Sequence, residues 1–140
     1  PYIKVDFKNY KLRKLNMNAT SLILEPRQET TDMDVVLFDL GQEETVIHCE
    51  GNMSEYGKVY GSFRLKYNSD RLSGFFTSQG RGVVDENTTF AGAGVGTWTR
   101  EGSKIQMTEV DLVDNGTQNL YKMTLDTMAK KLSISAYIIK

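Results

Sequence analysis

Two pairs of ionisable residues have the spacing that proton chemistry needs. His48 and Glu50 share one parity of the alternating segment Thr45 to Glu50. An imidazole beside a carboxylate can move protons if both face a cavity. The alternation equally allows Ile47 and Cys49 to face the core while His48 and Glu50 face water, and that is the more ordinary arrangement. Glu109 and Asp111 form the second pair, sharing parity with Ile105 and Met107. Their strand face therefore turns from apolar to acidic, as a face running from core to rim would. Inside a barrel the two carboxyls would serve as base or substrate anchor. His48, Glu109 and Asp111 are the catalytic candidates. Oxygen-rich pairs suit hard cations, but no calcium-loop spacing accompanies them, and no metal site is assigned. One histidine and one cysteine leave zinc cages, haem attachment and papain-like dyads without partners, apart from any arrangement centred on His48.

The segment Phe90 to Trp98 carries Gly92, Gly94 and Gly96 at strand parity, so all three point to one face. The preceding segment carries Gly74, Gly80 and Gly82, also of one parity. A hairpin with the loop Asp85 to Thr89 would set Gly82 opposite Gly92, Gly80 opposite Gly94, Ser78 opposite Gly96 and Phe76 opposite Trp98. Such a ribbon is stripped of side chains and flanked by two large aromatics. Glycine weakens strands, so the accumulation requires a cause. Sharp coiling of the sheet is the first explanation, and a ligand cavity the second. The pattern lacks the Gly-Lys-Ser/Thr ending of a phosphate loop and the strand-then-helix setting of a dinucleotide fingerprint. Arg81 and Arg100 flank the ladder and could hold a carboxylate. Tyr67, Phe76, Arg81, Gly92, Gly94, Gly96 and Trp98 are the ligand-binding candidates.

These residues must be positioned by strands, because period-two alternation runs through almost the whole chain. It marks Pro1 to Phe7, Ser21 to Glu25, Asp34 to Leu40, Thr45 to Glu50, Lys58 to Tyr67, Leu72 to Val84, Thr89 to Arg100, Lys104 to Leu112, Leu120 to Leu125 and Leu132 to Ile139. Turn residues such as Asn68-Ser69-Asp70 and Asp114-Asn115-Gly116 punctuate the strands. Asp34 to Leu40 is apolar on both sides, which suits burial on both faces. Helix is expected only in short pieces, such as Glu25 to Asp32. About ten short strands in 140 residues predict a single all-β domain, an antiparallel up-and-down barrel of eight to ten strands, with a β-sandwich as the alternative.

Composition narrows the function classes. A net charge of −1 offers no basic excess for phosphates, so nucleic acid is not an expected partner. The cluster Lys8, Lys11, Arg13 and Lys14 alternates with Tyr10, Leu12 and Leu15 and reads as a solvated strand face. No apolar run is long enough for a membrane-spanning helix, and no signal peptide is visible, as would also hold for a mature chain whose signal had been removed. The lone free Cys49 favours the cytoplasm. Secretion is the minor alternative, resting on the triplets that begin at Asn18, Asn52, Asn87 and Asn115, although Asn, Ser and Thr collect in turns anyway.

From about Gly57 onward, the run of hairpins, the glycine-rich strand Gly92 to Trp98 and the turn Asp126 to Lys131 resemble small antiparallel barrels of the calycin and allene-oxide-cyclase-like group. The lipocalin Gly-x-Trp opening is absent from the first strand, and no catalytic residue transfers. The resemblance implies an apolar or amphipathic small ligand in the barrel and, in some members, cyclisation or isomerisation without a cofactor. The expected function is therefore small-molecule binding, extending to a cofactor-free isomerase or cyclase. The competing expectation is a structural or interaction module that forms a homo-oligomer and has no pocket.

Overall fold

The computed structural model describes residues 3–6 and 21–140. The basic cluster from Lys8 to Lys14 and the triplet at Asn18 lie outside the described residues. Strands β1 (Ile3–Asp6) and β2 (Ser21–Leu24) form a separate antiparallel pair. The barrel uses β3 (Thr31–Leu40), β4 (Glu44–Asn52), β5 (Lys58–Lys66), β6 (Ser73–Asp85), β7 (Thr88–Glu101), β8 (Lys104–Val113), β9 (Gln118–Asp126) and β10 (Lys131–Ile138). Each of these eight pairs antiparallel with its sequence neighbours, and β10 pairs with β3 to close the ring. The closing seam is short, Lys131–Ile134 against Thr31–Asp34, and among the described residues β3 beyond Val35 has no ladder partner on that side.

Alternation decides which side chains fill the interior. Along β8, Ile105, Met107, Glu109, Asp111 and Val113 are buried, while Lys104, Gln106, Val110 and Leu112 are exposed. The middle of the barrel is packed by Ile47, Leu65, Phe76, Met107, Leu125 and Leu132, each at most 2% exposed. Burial of each such side chain contributes about 1.5–3 kcal/mol relative to exposure.

Three local expectations are corrected. In β3 the ladder to β4 shifts register between Val35 and Leu37. Met33 is buried and Val35 and Phe38 pack on the core, whereas Val36 and Leu37 are exposed. The strand's two-sided apolarity is thus a bulge, which moves the inward parity from odd to even residues. Glu25 to Asp32 is not helical: Pro26 bridges Tyr137, and the backbone of Glu25 and Arg27 bonds to β10 and its end. The one helical turn among the described residues is a 3-10 turn at Ser54–Tyr56, between β4 and β5.

The third correction concerns the glycine ribbon. Gly80 faces Gly92, Ser78 faces Gly94, Phe76 faces Gly96 and Gly74 faces Trp98. The loop is only Glu86 and Asn87, because an irregularity between Val83 and Asp85 takes one residue out of the ladder. The Asp85 carboxylate accepts the Asn87 N–H at 2.9 Å and closes the tight turn. The register differs from expectation by two residues, so parity is unchanged and the same side chains point inward.

Candidate functional site

The barrel holds two chambers, separated by the packed middle layer. The first lies under the β4–β5 connection and is a cavity of about 70 Å³. Tyr56, buried on the 3-10 turn, closes it: its hydroxyl bonds to Thr117 at 2.9 Å and receives the Asn119 amide at 3.0 Å. Arg27 donates through Nε to Asn119 Oδ1 and lies 3.8 Å from Glu55, pinning the same lid to the chain that enters the barrel.

Glu109 and Asp111 both project into this chamber and are 2% and 6% exposed. The glycines of β7 make room for them. A β-carbon at Gly92 would meet both Asp111 carboxyl oxygens at 3.4 Å, and one at Gly94 would overlap the Glu109 carboxyl. One at Gly96 would meet the Phe76 ring at 2.7 Å. The missing side chains are thus replaced by an aromatic ring and two carboxyls from the neighbouring strands. Ser78, across from Gly94, donates its hydroxyl to Glu109 Oε1.

Electrostatics follow from this burial. Removal from water raises the Glu109 carboxyl to about 8; the nearby Asp111 adds to the rise and Ser78 opposes it. Burial raises Asp111 to about 6, opposed by a hydrogen bond from Tyr121. Burial, reinforced by the acids, also pushes the Tyr121 phenol upward. At neutral pH Glu109 therefore holds a proton while Asp111 is mostly ionised, a donor and an acceptor two residues apart on one strand face. Burial pushes the Cys49 thiol, on the same cavity wall, up to about 12, so it is not a nucleophile there.

The second chamber is the open mouth at the opposite end, about 290 Å³, lined by Trp98, Tyr67, Phe38 and Ile105 among others. Trp98 is 3% exposed and its indole N–H donates to the Lys66 carbonyl at 2.9 Å. Tyr67 meets it edge-on at 5.9 Å and shares a hydroxyl hydrogen bond with Thr45.

The candidates from the sequence are therefore divided. Glu109, Asp111, Gly92 and Gly94 meet at the closed chamber. Phe76 and Gly96 belong to the packed layer, and Tyr67 and Trp98 to the open mouth. His48 and Arg81 are both exposed on the outer surface, although Arg81 also borders the cavity that holds Glu109 and Asp111. Ile47 and Cys49 take the interior parity of β4, and Phe76, Ser78, Gly80 and Gly82 take that of β6. His48 and Arg81 share a shallow outer groove with Tyr60 and Ser62 over Gly61 and Gly80. Ser78 and Asn119 were missed, although Asn119 shares the parity of Met123 and Leu125.

Among the described residues, no three His, Cys, Asp or Glu side chains converge as a metal centre, and no helix is long and apolar enough to cross a membrane. No protein-family model matches the chain, and comparison with curated proteins and with solved structures finds no match. The fold class is that of closed, eight-stranded antiparallel meander barrels.

Proposed function

We propose that this barrel binds a small molecule through the closed chamber, with Glu109 and Asp111 as its polar contacts. The observation that carries this is the pair of buried carboxyls beside unfilled space, on a strand whose neighbour gives up three side chains to accommodate such bulk. Burying carboxyls costs stability, and a barrel of this size could fill the same positions with Leu or Met. A cavity of about 70 Å³ holds roughly two waters at ~30 Å³ each. The part of the ligand held there is correspondingly small, such as a carbonyl or hydroxyl end, and a larger body enters only when the turn bearing Tyr56 moves.

The chemistry such a pair supports is proton transfer without a cofactor. In this reading Asp111 takes a proton from a bound substrate, Glu109 donates one to a neighbouring atom, and a proton then returns from Asp111 to Glu109 to restore the resting state, which is the pattern of an isomerase. The test is a thermal-shift screen of small carbonyl and hydroxyl compounds against the native protein and Glu109→Gln. A ligand held by the acid stabilises the native protein by mass action and loses that effect in the variant. Compounds that stabilise both proteins equally, or neither, count against the site.

A second reading, an interaction module, is favoured by one observation. Val95, Val110 and Leu112 are 62%, 51% and 57% exposed and adjacent on the outer face of β7 and β8. Sedimentation of Val110→Lys against the native protein tests it: an oligomer that dissociates in the variant supports the module.

A further inference from the structure

We propose that the open mouth, distinct from the acid chamber, is a binding site for a small amphipathic anion, whose apolar body lies against Trp98 and whose charge is held by Arg71, Arg100 and Lys130. Its volume of about 290 Å³ is at the lower end of small-molecule pockets, and its floor is Trp98, Leu65, Phe38 and Ile105. All three charged residues that line it are cations, and none of the described residues lining it is a carboxylate. Of the acids around the mouth, Asp126 pairs with Lys104 at 2.8 Å, Glu44 pairs with Arg64 at 2.8 Å, and Asp70 accepts from Leu72 N–H and Ser73, while Glu43 shares the neighbouring groove with Arg71 without an ion pair. Among the described residues, Arg71, Arg100 and Lys130 enter no ion pair.

The backbone carries an independent sign. Among the described residues, three non-glycine residues have positive φ, and two of them are Arg71 at 60° and Lys130 at 54°. Glycine or asparagine ordinarily takes such turn positions, because a β-carbon is crowded there. Here both positions carry long cationic side chains at the mouth. The Arg71 guanidinium lies 4.5 Å from the Tyr67 ring centre and donates to the Gln42 carbonyl at 3.0 Å. Arg100 donates through Nε to the Gly102 carbonyl at 2.9 Å. Each guanidinium is thereby fixed in place with N–H groups to spare for a carboxylate, sulfonate or phosphate. The opposite chamber is acidic, so the two ends of the barrel select ligands of different charge.

The test uses 1-anilinonaphthalene-8-sulfonate and its uncharged relative N-phenyl-1-naphthylamine, read by quenching of Trp98, the single tryptophan. The sulfonate is expected to bind saturably, more tightly than the neutral compound, and less tightly as salt is added. Arg71→Gly and Lys130→Gly place glycine where the backbone favours it, so both variants fold, and each is expected to weaken sulfonate binding roughly tenfold. The neutral compound's affinity stays unchanged in these variants. Glu109→Gln leaves sulfonate binding unaltered, which separates this site from the acid chamber. Equal affinity for the two probes, unchanged affinity in both glycine variants, loss of binding in Glu109→Gln, or no binding of the sulfonate would each overturn the proposal.

Discussion

Gly94 and Glu109 occupy one piece of the barrel interior: a β-carbon on Gly94 would stand 2.8 Å from both the Glu109 carboxyl carbon and the Val110 carbonyl oxygen. The glycine is therefore a condition for burying the acid. Gly94→Ala is expected to cost about 1–3 kcal/mol as overpacking, since the backbone oxygen cannot move out of the way. Gly80→Ala, whose nearest contact would be the Tyr60 carbonyl at 3.7 Å, should be neutral or slightly stabilising. Urea denaturation of the two variants checks the contrast.

Stability should fall as pH rises from acid to mildly basic. Glu109 and Asp111 hold protons more tightly folded than unfolded, rising from 4.5 to about 8 and from 3.8 to about 6. Below pH 4 both are protonated in both states and their contribution is fully present. Above the unfolded values the unfolded chain releases its protons first, so each acid removes about 1.4 kcal/mol per pH unit until its folded value is reached. Asp111 acts up to about pH 6 and Glu109 up to about pH 8. Asp34 and Asp126, held low by hydrogen bonds from Lys131 and Lys104, act in the opposite sense below pH 4 on the exposed surface. Glu109→Gln should exceed the native protein in stability at pH 8 and show no slope above pH 6. Denaturation midpoints across pH 5 to 9 read this directly.

Which residues share a face was legible wherever alternation was unbroken; which face turns inward was not. Ile105, Met107, Glu109 and Asp111 share a face, as do the glycines of β7, and the structure turns both faces inward. Parity alone left two choices at His48, and the larger apolar set, Ile47 and Cys49, took the interior. The sequence did not reveal the bulges at Val35–Leu37 and Val83–Asp85, because one extra residue in a ladder is set by closure of the barrel rather than by local preference. Nor could it separate the two chambers. Phe76 and Trp98 were expected to meet, but Phe76 packs in the middle layer and Trp98 at the mouth.

Trp98→Ala should destabilise the barrel by about 3–5 kcal/mol, since it empties a buried site and orphans the Lys66 carbonyl. Trp98→Phe keeps a ring against Tyr67 but loses the hydrogen bond and part of the buried ring volume, so an intermediate loss of about 1–3 kcal/mol is expected. Thermal melts followed by circular dichroism distinguish the two.

Cys49 should resist modification. It is 2% exposed and its thiol is pushed up to about 12. A thiol reagent at pH 8 is expected to label the denatured chain at once and the native barrel only at the rate of opening. Rapid native labelling would mean that the chamber wall opens without unfolding.

The most direct test of the closed chamber as a ligand site is native mass spectrometry of freshly purified protein beside Glu109→Gln. The native chain is expected to carry a small added mass that disappears on denaturation and is depleted in the variant. Bare chains in both samples, or an added mass retained equally by Glu109→Gln, would contradict a site built on Glu109 and Asp111.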